Sequence, residues 1–441
     1  MSLNDLQKTE GRLSSDRSDA GTICVRCGAC LSVCPVYDVT RHERVSPRGK
    51  YRLITEIIDE GLNFVPESQG SGKNLLPVKV LETLKDCLQC GACGYICPAG
   101  VEVNALVRSA RGASYAKGLS IPWWLWDILR GRRLTPFLTK LLCSIPGTSG
   151  LVWRLLGLTD RTSRDEKSLH FEMPSISQRP ALSRRRFRSL DPSYRVDPSS
   201  GPRIALFLGC IQNYLYPEVA EAIIRCLGGK VLVPLGQGCC GMPAWSGGAQ
   251  ETAKELVIQN LKAFEKARAD FIVTGCAACA SMIKEWPKLF SKEDVKKEIA
   301  INLASKVKEF SQLIVELKVL PFRESKSCSA AVTYHAPCHQ RFDLGGVGES
   351  EGLLDRMFSD AFRPMSHECC GQGGLFSIGN PELAWQIFEK RLSALDRTGA
   401  STVVTTCSGC LLQWRAGTAN QTGGPRVLHL AELIDGLGSA D

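Results

Sequence analysis

Cysteine spacing constrains this chain more than any other feature. Cys24, Cys27, Cys30 and Cys34, followed by Pro35, read C-x-x-C-x-x-C-x-x-x-C-P, and Cys87, Cys90, Cys93 and Cys97, followed by Pro98, repeat the pattern without deviation. Three thiolates at that spacing wrap three irons of a 4Fe-4S cube, while the fourth, before proline, reaches across to a second cube. The spacing therefore predicts one cube on Cys24, Cys27, Cys30 and Cys97 and another on Cys87, Cys90, Cys93 and Cys34. Crossed ligation holds two such clusters close together, which suits a wire better than two structural staples. Zinc fits less well, because its four ligands usually arrive as two separated pairs. The small residues Gly28, Ala29, Gly91 and Ala92 would let backbone amides approach the sulfurs.

The chain has 21 cysteines among 441 residues, an odd number, and 18 of them fall into four regular clusters, so a disulfide framework is the weaker reading. The remaining two clusters have the form C-x(n)-C-C-G-x(n)-C-x-x-C. They supply Cys210, Cys239, Cys240, Cys276 and Cys279, then Cys338, Cys369, Cys370, Cys407 and Cys410. Adjacent cysteines face one cofactor only if the backbone bends, and Gly241 or Gly371 directly after each pair supplies that freedom. Five thiols exceed the needs of one zinc, which makes an iron-sulfur assembly the preferred occupant. Zinc on four of the five in one copy is the competing reading, and a redox-active C-x-x-C a lesser one.

The length calls for several domains. Residues 20–118 read as a helical cluster-binding unit, with helices expected at Lys50–Glu60, Leu75–Cys87 and Val103–Lys117. Residues 119–201 read as a basic connector. Within residues 101–200, 17 Lys and Arg stand against 8 Asp and Glu, which equals the net charge of +9 for the whole chain. Arg130, Arg132 and Arg133 lie there beside Trp123, Trp124 and Trp126, and Arg184, Arg185, Arg186 and Arg188 follow. A solvated linker is the plain reading of this surplus, an acidic partner or anionic lipid the functional one; no motif points to nucleic acid.

From residue 202 the grammar alternates strand and helix: strands at Ile204–Leu208, Lys230–Pro234 and Phe271–Thr274, helices near Pro217–Leu227 and Glu251–Ala267. Each cysteine cluster then falls at or just beyond a strand's C-terminal end, where an open α/β sheet places ligands. The pattern returns about 130 residues later. Cys210 maps to Cys338, Cys239 and Cys240 to Cys369 and Cys370, and Cys276 and Cys279 to Cys407 and Cys410, at offsets of 128, 130 and 131. The fold class expected is thus α+β multidomain: an N-terminal α-helical ferredoxin-like unit, then tandem α/β Cys-Cys-Gly domains at 202–325 and 326–436.

Together these motifs resemble the iron-sulfur subunit of glycolate oxidase and related D-lactate dehydrogenases, and the fused catalytic subunit of heterodisulfide reductase, from about residue 20 to 435. Ser46-Pro47-Arg48-Gly49-Lys50, Gly238-Cys239-Cys240-Gly241 and His335-Ala336-Pro337-Cys338 add to the likeness with the glycolate oxidase type. Many glycolate oxidase subunits lack the cysteine equivalent to Cys276; its presence here is a heterodisulfide reductase trait. That resemblance implies non-cubane 4Fe-4S clusters on five cysteines each, hence one or two further clusters beside the two cubes.

No flavin or nicotinamide fingerprint is visible, so an oxidoreductase role requires a flavin-containing dehydrogenase partner, with quinone or another carrier as acceptor. The alternative implied by the resemblance is reduction of a disulfide at the Cys-Cys-Gly clusters. No catalytic residue is assigned. His335, His339 and His367 lie near the second set of cysteines; packing is their simplest reading, hydrogen bonding to a cluster sulfur the functional one. Cys143, Cys226 and Cys328 fall outside every motif, and Gly345, Gly346 and Gly348 lack the context of a nucleotide loop. The polar N-terminus reads as lacking an export signal, and no run of about 18 apolar residues occurs. The expected location is cytoplasmic, or peripheral on the inner face of the membrane through Trp123–Leu129.

Overall fold

The computed structural model describes residues 24–59, 63–66, 75–76, 78–115, 201–229, 231–319, 330–419, 421 and 423–438. The Trp- and Arg-rich connector, Cys143 and Cys328 lie outside these residues.

The N-terminal unit is built of helices α1 (Ala29–Ser32), α2 (Pro35–Thr40) and α3 (Pro47–Asp59), a short parallel pair β1 (Asn63–Pro66) and β2 (Leu75–Leu76), then α4 (Val78–Lys85), α5 (Ala92–Tyr95) and α6 (Val103–Tyr115). The helix expected from Leu75 starts three residues later, because Leu75 and Leu76 pair with β1 instead. The four-residue helices α1 and α5 each follow a left-handed glycine, Gly28 and Gly91, so both cysteine motifs turn in the same way. Ile54, Ile57, Leu84, Val103 and Val107 pack α3, α4 and α6 together.

The first α/β copy contains β3 (Ile204–Leu206), α7 (Gly209–Tyr214), α8 (Pro217–Cys226), β4 (Val231–Leu232), α9 (Met242–Ser246), α10 (Gln250–Ala267), β5 (Phe271–Thr274), α11 (Ala277–Glu285), α12 (Val295–Lys306), β6 (Val307–Glu309) and α13 (Phe310–Leu317). Its strands lie in the order β4-β3-β5-β6, all parallel. The second copy contains β7 (Val332–Tyr334), α14 (Cys338–Asp343), α15 (Gly348–Phe358), α16 (Phe376–Gly379), α17 (Pro381–Thr398), β8 (Thr402–Thr405), α18 (Ser408–Thr418), β9 (Arg426–His429) and α19 (Leu430–Gly438). Its order is β7-β8-β9, also parallel, and a parallel bridge from Val332 to Phe362 stands where β4 stands in the first copy. Strands β5 and β8, Phe-Ile-Val-Thr and Thr-Val-Val-Thr, are β-branched and almost wholly buried, as strands covered on both faces must be. The strands β6 and β9 extend the duplication beyond the cysteine motifs.

One apolar core runs through both copies, from Ile204 to Ile434. Helix α8 packs on α19, and Arg225 reaches Asp435 at 2.7 Å across that contact. The two glycines after the Cys-Cys pairs both hold left-handed backbone, Gly241 at φ 97° and Gly371 at φ 83°. Their surroundings differ: a Cβ on Gly371 would stand 2.4 Å from the Ala384 carbonyl oxygen, one on Gly241 no closer than 3.5 Å to any atom. Gly371→Ala should therefore destabilise the protein by about 1–3 kcal/mol more than Gly241→Ala, while the left-handed penalty is common to both. Chemical denaturation of the two variants checks this; equal losses would refute it.

Candidate metal centres

Every described cysteine is free of disulfides. In the N-terminal unit, one pocket is lined by Cys34 from the first motif and Cys87, Cys90 and Cys93 from the second, together with Lys50 and Asp86. Pro35 starts α2 and leaves Cys34 as its N-cap, its sulfur accepting the Tyr37 amide at 3.5 Å, and this turns the thiol toward the second motif. Burial, followed by the charges of Cys87, Cys34 and Cys30, pushes the Cys93 thiol up to about 12. Cys30 has Cys24 and Cys27 as its charged neighbours, and Cys97 packs with Cys24 against the same apolar cluster.

Lys50 is buried, and its ammonium donates to the Val45 carbonyl. Its charge offsets part of the rise that burial imposes on Cys34 and on Asp86. The turn before it is tight: Ser46 Oγ accepts the Gly49 amide at 2.9 Å, and a Cβ on Gly49 would lie 2.1 Å from the Glu43 carbonyl oxygen. The Ser-Pro-Arg-Gly-Lys run thus delivers a buried cation to the Cys34 pocket.

The ten cysteines of the two α/β copies form one unbroken series of sulfur-to-sulfur contacts: Cys210, Cys239, Cys240, Cys279, Cys276, Cys407, Cys410, Cys370, Cys369, Cys338. The series reads the same from either end when each residue is replaced by its repeat partner, so a local two-fold relates the sites. At its centre Cys276 Sγ and Cys407 Sγ are 3.9 Å apart, and in the second copy Cys370 and Cys410 are 3.3 Å apart. Cys276 and Cys407 are the N-cap residues of α11 and α18, and of the two only Cys276 is pulled below its ordinary value, while the bond with Cys276 holds Cys407 up to about 12.

Hydrogen bonds within the series sort the thiols into donors and acceptors. Those from Cys239 and Cys279 pull Cys240 down to about 6, and those from Cys279 and Cys407 pull Cys276 well below its ordinary value. Those from Cys338 and Cys370 do the same for Cys369. Their donors are held up as thiols, Cys279 by its place beside both Cys240 and Cys276, which share its single S–H. Seven buried and three half-buried cysteines, with only a few thiolates among them, fit a metal group that displaces the remaining protons.

The two copies interlock where their C-x-x-C turns meet. The Ala277 amide donates to the Thr406 carbonyl at 3.1 Å, Gln212 donates to Ser408 Oγ at 3.2 Å, and Ser281 Oγ donates to Asp343 at 2.7 Å. His429 Nε2 lies 2.8 Å from the Gly275 carbonyl oxygen, and Gly275 has no room for a side chain, with Ile223 Cδ1 and Gln212 Nε2 at 2.5 and 2.6 Å from a would-be Cβ. No local motif marks two further buried groups at this junction. Burial raises Glu309, at the end of β6, to about 8, against the opposing bonds from Ser311, and burial lowers His429, at the end of β9, to about 4. Both are neutral near pH 7.

The N-terminal unit docks on the second copy beside this series. Burial, then the charge of Cys369, pushes the Cys90 thiol well above its ordinary value, and Cys338 feels Cys90 in turn. Val36, Val45 and Leu88 share a core with Phe376, Ala384 and Ile387, Tyr95 lies 5.2 Å from the Phe342 ring, and Lys390 pairs with Asp38. Contacts with the first copy are made by α6: Arg108 stacks on Trp245 at 4.3 Å, and Arg111 donates to the Ser246 carbonyl at 2.7 Å and to those of Leu84 and Cys87.

Of the histidines near the cysteines, His339 pairs with Asp343 at 2.7 Å and His367 with Glu351 at 3.3 Å. His335 is buried with its ring edge-on to Trp414. Cys226 packs against the core of the two copies, where burial raises it to about 12.

Two clustered cysteine motifs followed by duplicated α/β units with facing thiol sets define an iron-sulfur protein with a dicluster unit and a pair of cysteine-rich domains. Residues 21–101 match the 4Fe-4S dicluster domain family, and residues 204–284 and 332–415 each match the Cys-Cys-Gly cysteine-rich domain family. The chain is 28% identical over 440 residues to the probable glycolate oxidase iron-sulfur subunit of Bacillus subtilis, covering 95% of both proteins. It is 33% identical over 240 residues to lactate utilization protein A of Geobacillus kaustophilus, covering 53% of this chain and 98% of the relative, and 31% identical over 240 residues to that of an Exiguobacterium species, covering 97% of it. The chain belongs to this family of glycolate oxidase iron-sulfur subunits and lactate utilization proteins A.

Two outcomes follow from the buried charges. Lys50→Met removes the cation facing Cys34, so one centre of the dicluster unit should titrate at a more negative potential while the others hold; a redox titration followed by EPR reads this. Glu309 binds its proton more tightly folded than unfolded, so its contribution is full below about pH 4.5 and is lost as pH rises toward about 8. Relative to Glu309→Gln, the wild-type protein should therefore lose stability across that window, as measured by denaturation at a series of pH values. A constant difference would rule the account out.

Proposed function

We propose that this chain is the electron-transfer subunit of a hydroxy-acid dehydrogenase. It would carry electrons from a flavin-containing subunit, oxidising glycolate or D-lactate, toward a quinone or another carrier. The observation that supports it best is the continuity of the sulfurs: the pocket of Cys34, Cys87, Cys90 and Cys93 adjoins Cys369 and Cys338, and the series continues from there to Cys210. The relatives, an oxidase subunit and lactate utilization proteins, agree with this role and do not favour disulfide reduction.

In this reading Cys24, Cys27, Cys30 and Cys97 hold one 4Fe-4S cube, and Cys87, Cys90, Cys93 and Cys34 the second. Cys210, Cys239, Cys240, Cys276 and Cys279 hold a further cluster of non-cubane type, and Cys338, Cys369, Cys370, Cys407 and Cys410 another. Iron-sulfur clusters take up and release single electrons. The polypeptide contributes the spacing of the donor sets, the dry surroundings of the inner thiols and the cation at Lys50. The units run over about 20–118, 202–325 and 326–436, with 119–201 as connector, and a peripheral contact with the inner membrane face belongs to that connector. No described helix is long and apolar enough to cross a bilayer.

Anaerobically purified protein should contain at least about 8 iron and 8 sulfide ions per chain from the dicluster unit, with more from the Cys-Cys-Gly sites. Affinity purification from the native cell should recover a flavoprotein, and glycolate or D-lactate added to the pair should bleach the visible iron-sulfur absorption. Recovery of no flavoprotein, together with disulfide-dependent oxidation of a reduced viologen by the chain alone, would replace this reading by the reductase one.

A further inference from the structure

The duplicated sites are not equivalent. Directly after the last paired residue of the first strand of each copy, the chain places an aromatic ring against the Trp that follows the C-x-x-C motif. In the first copy this is Phe207, edge-on to Trp286 at 6.0 Å; in the second it is His335, edge-on to Trp414 at 5.6 Å. Trp286 donates its indole N–H to the Cys240 carbonyl at 3.0 Å, whereas Trp414 Nε1 is buried without a partner among the described residues. A ring nitrogen of His335, Cys370 Sγ and Cys410 Sγ all lie within 4.8 Å of one another, and all three residues are buried. With metal–nitrogen bonds of about 2.0–2.1 Å and metal–sulfur bonds of about 2.3 Å, one ion can bridge three donors so placed.

A second difference lies behind the Cys-Cys pair. Asn260 of α10 spends its amide on backbone: it accepts the Gly238 N–H at 2.8 Å and donates to the Cys239 carbonyl at 2.8 Å. The repeat position in α17 is Arg391, whose side chain is fully buried, pairs with Glu368 at 2.8 Å through Nη1, and keeps Nε and Nη2 without partners among the described residues. A buried guanidinium with two open N–H groups suits an anionic group, and its neighbours are Cys370 and Cys369. At the two corresponding positions the first site has Phe207 and Asn260 in place of the imidazole and the cation.

We propose that the second Cys-Cys-Gly site binds its metal group through nitrogen as well as sulfur, with the His335 imidazole joining Cys370 and Cys410 on one iron, and that the first site is bound by sulfur alone. This rests on the iron-sulfur reading of the site given above. The imidazole adds a neutral donor to the five thiols, and the buried Arg391 cation beside Cys370 and Cys369 raises the potential of the cluster they hold. The site beside the dicluster unit is then the more electron-attracting of the two.

The test uses the full chain, purified anaerobically, with histidine selectively labelled with nitrogen-15, and pulsed EPR at a series of poised potentials. A histidine nitrogen coupling of the size expected for direct ligation should appear in one iron-sulfur signal and vanish in His335→Phe, the exchange that the first copy already accommodates at Phe207. His335→Gln serves as the second variant and should lose the same coupling. Iron and sulfide in wild-type protein without histidine coupling at any potential would overturn the proposal, as would a coupling that survives both substitutions. One zinc per chain released by His335→Phe, with every iron signal unchanged, would overturn it too. Absence of iron from both Cys-Cys-Gly sites is a different result, which sinks the iron-sulfur reading itself.

Discussion

The close approach of two peptide turns governs this molecule. Where β5 and β8 end, the Gly275-Cys276-Ala277 and Thr406-Cys407-Ser408 turns meet, tied by the Ala277 amide on the Thr406 carbonyl and by His429 on the Gly275 carbonyl. Only a bare glycine fits at residue 275, because Ile223 and Gln212 already fill the space of a side chain. That contact brings Cys276 and Cys407 to 3.9 Å and makes two separate five-thiol sets into one series. A single apolar core across both copies follows from the same contact, since the sheets cannot meet at these turns without covering each other's flanking helices.

Burying so many thiols together has an electrostatic cost, and two titratable groups of the junction add no charge to it. Glu309 and His429, which end corresponding strands on either side, are both held neutral by burial. Cations stand beside thiols at two places, Lys50 at Cys34 and Arg391 at Cys369 and Cys370. Each is a cation facing a set of thiols, the sign that a group with several thiolate ligands calls for.

Duplication here preserves geometry while letting chemistry diverge. The order of sulfurs is the same read from either end, and the α10 and α17 helices run over equal lengths, 18 residues each. Yet Phe207 and Asn260 serve the first site with an apolar ring and a neutral amide, while His335 and Arg391 serve the second with an imidazole and a guanidinium. The N-terminal unit docks against the second copy's cysteines, and it touches the first copy through α6 at Trp245 and Ser246. The two-fold is broken at the point where the third unit joins.

Sequence alone determined the elements that local chemistry dictates. The cysteine spacing, the prolines after Cys34 and Cys97, the glycines after the Cys-Cys pairs and the β-branched runs of β5 and β8 are all short-range signals, and they gave the fold class, the repeat and the candidate thiols. The strands β6 and β9, the pairing of Leu75–Leu76 and the buried Glu309 and His429 had no such signal, because each owes its state to residues distant along the chain. Tertiary structure also decided which sulfurs meet. Nothing in the spacing places Cys276 beside Cys407 or Cys90 beside Cys369, since those distances depend on how separately folded units cover one another's apolar faces, and burial of that kind is set by the whole surface of contact and not by any motif.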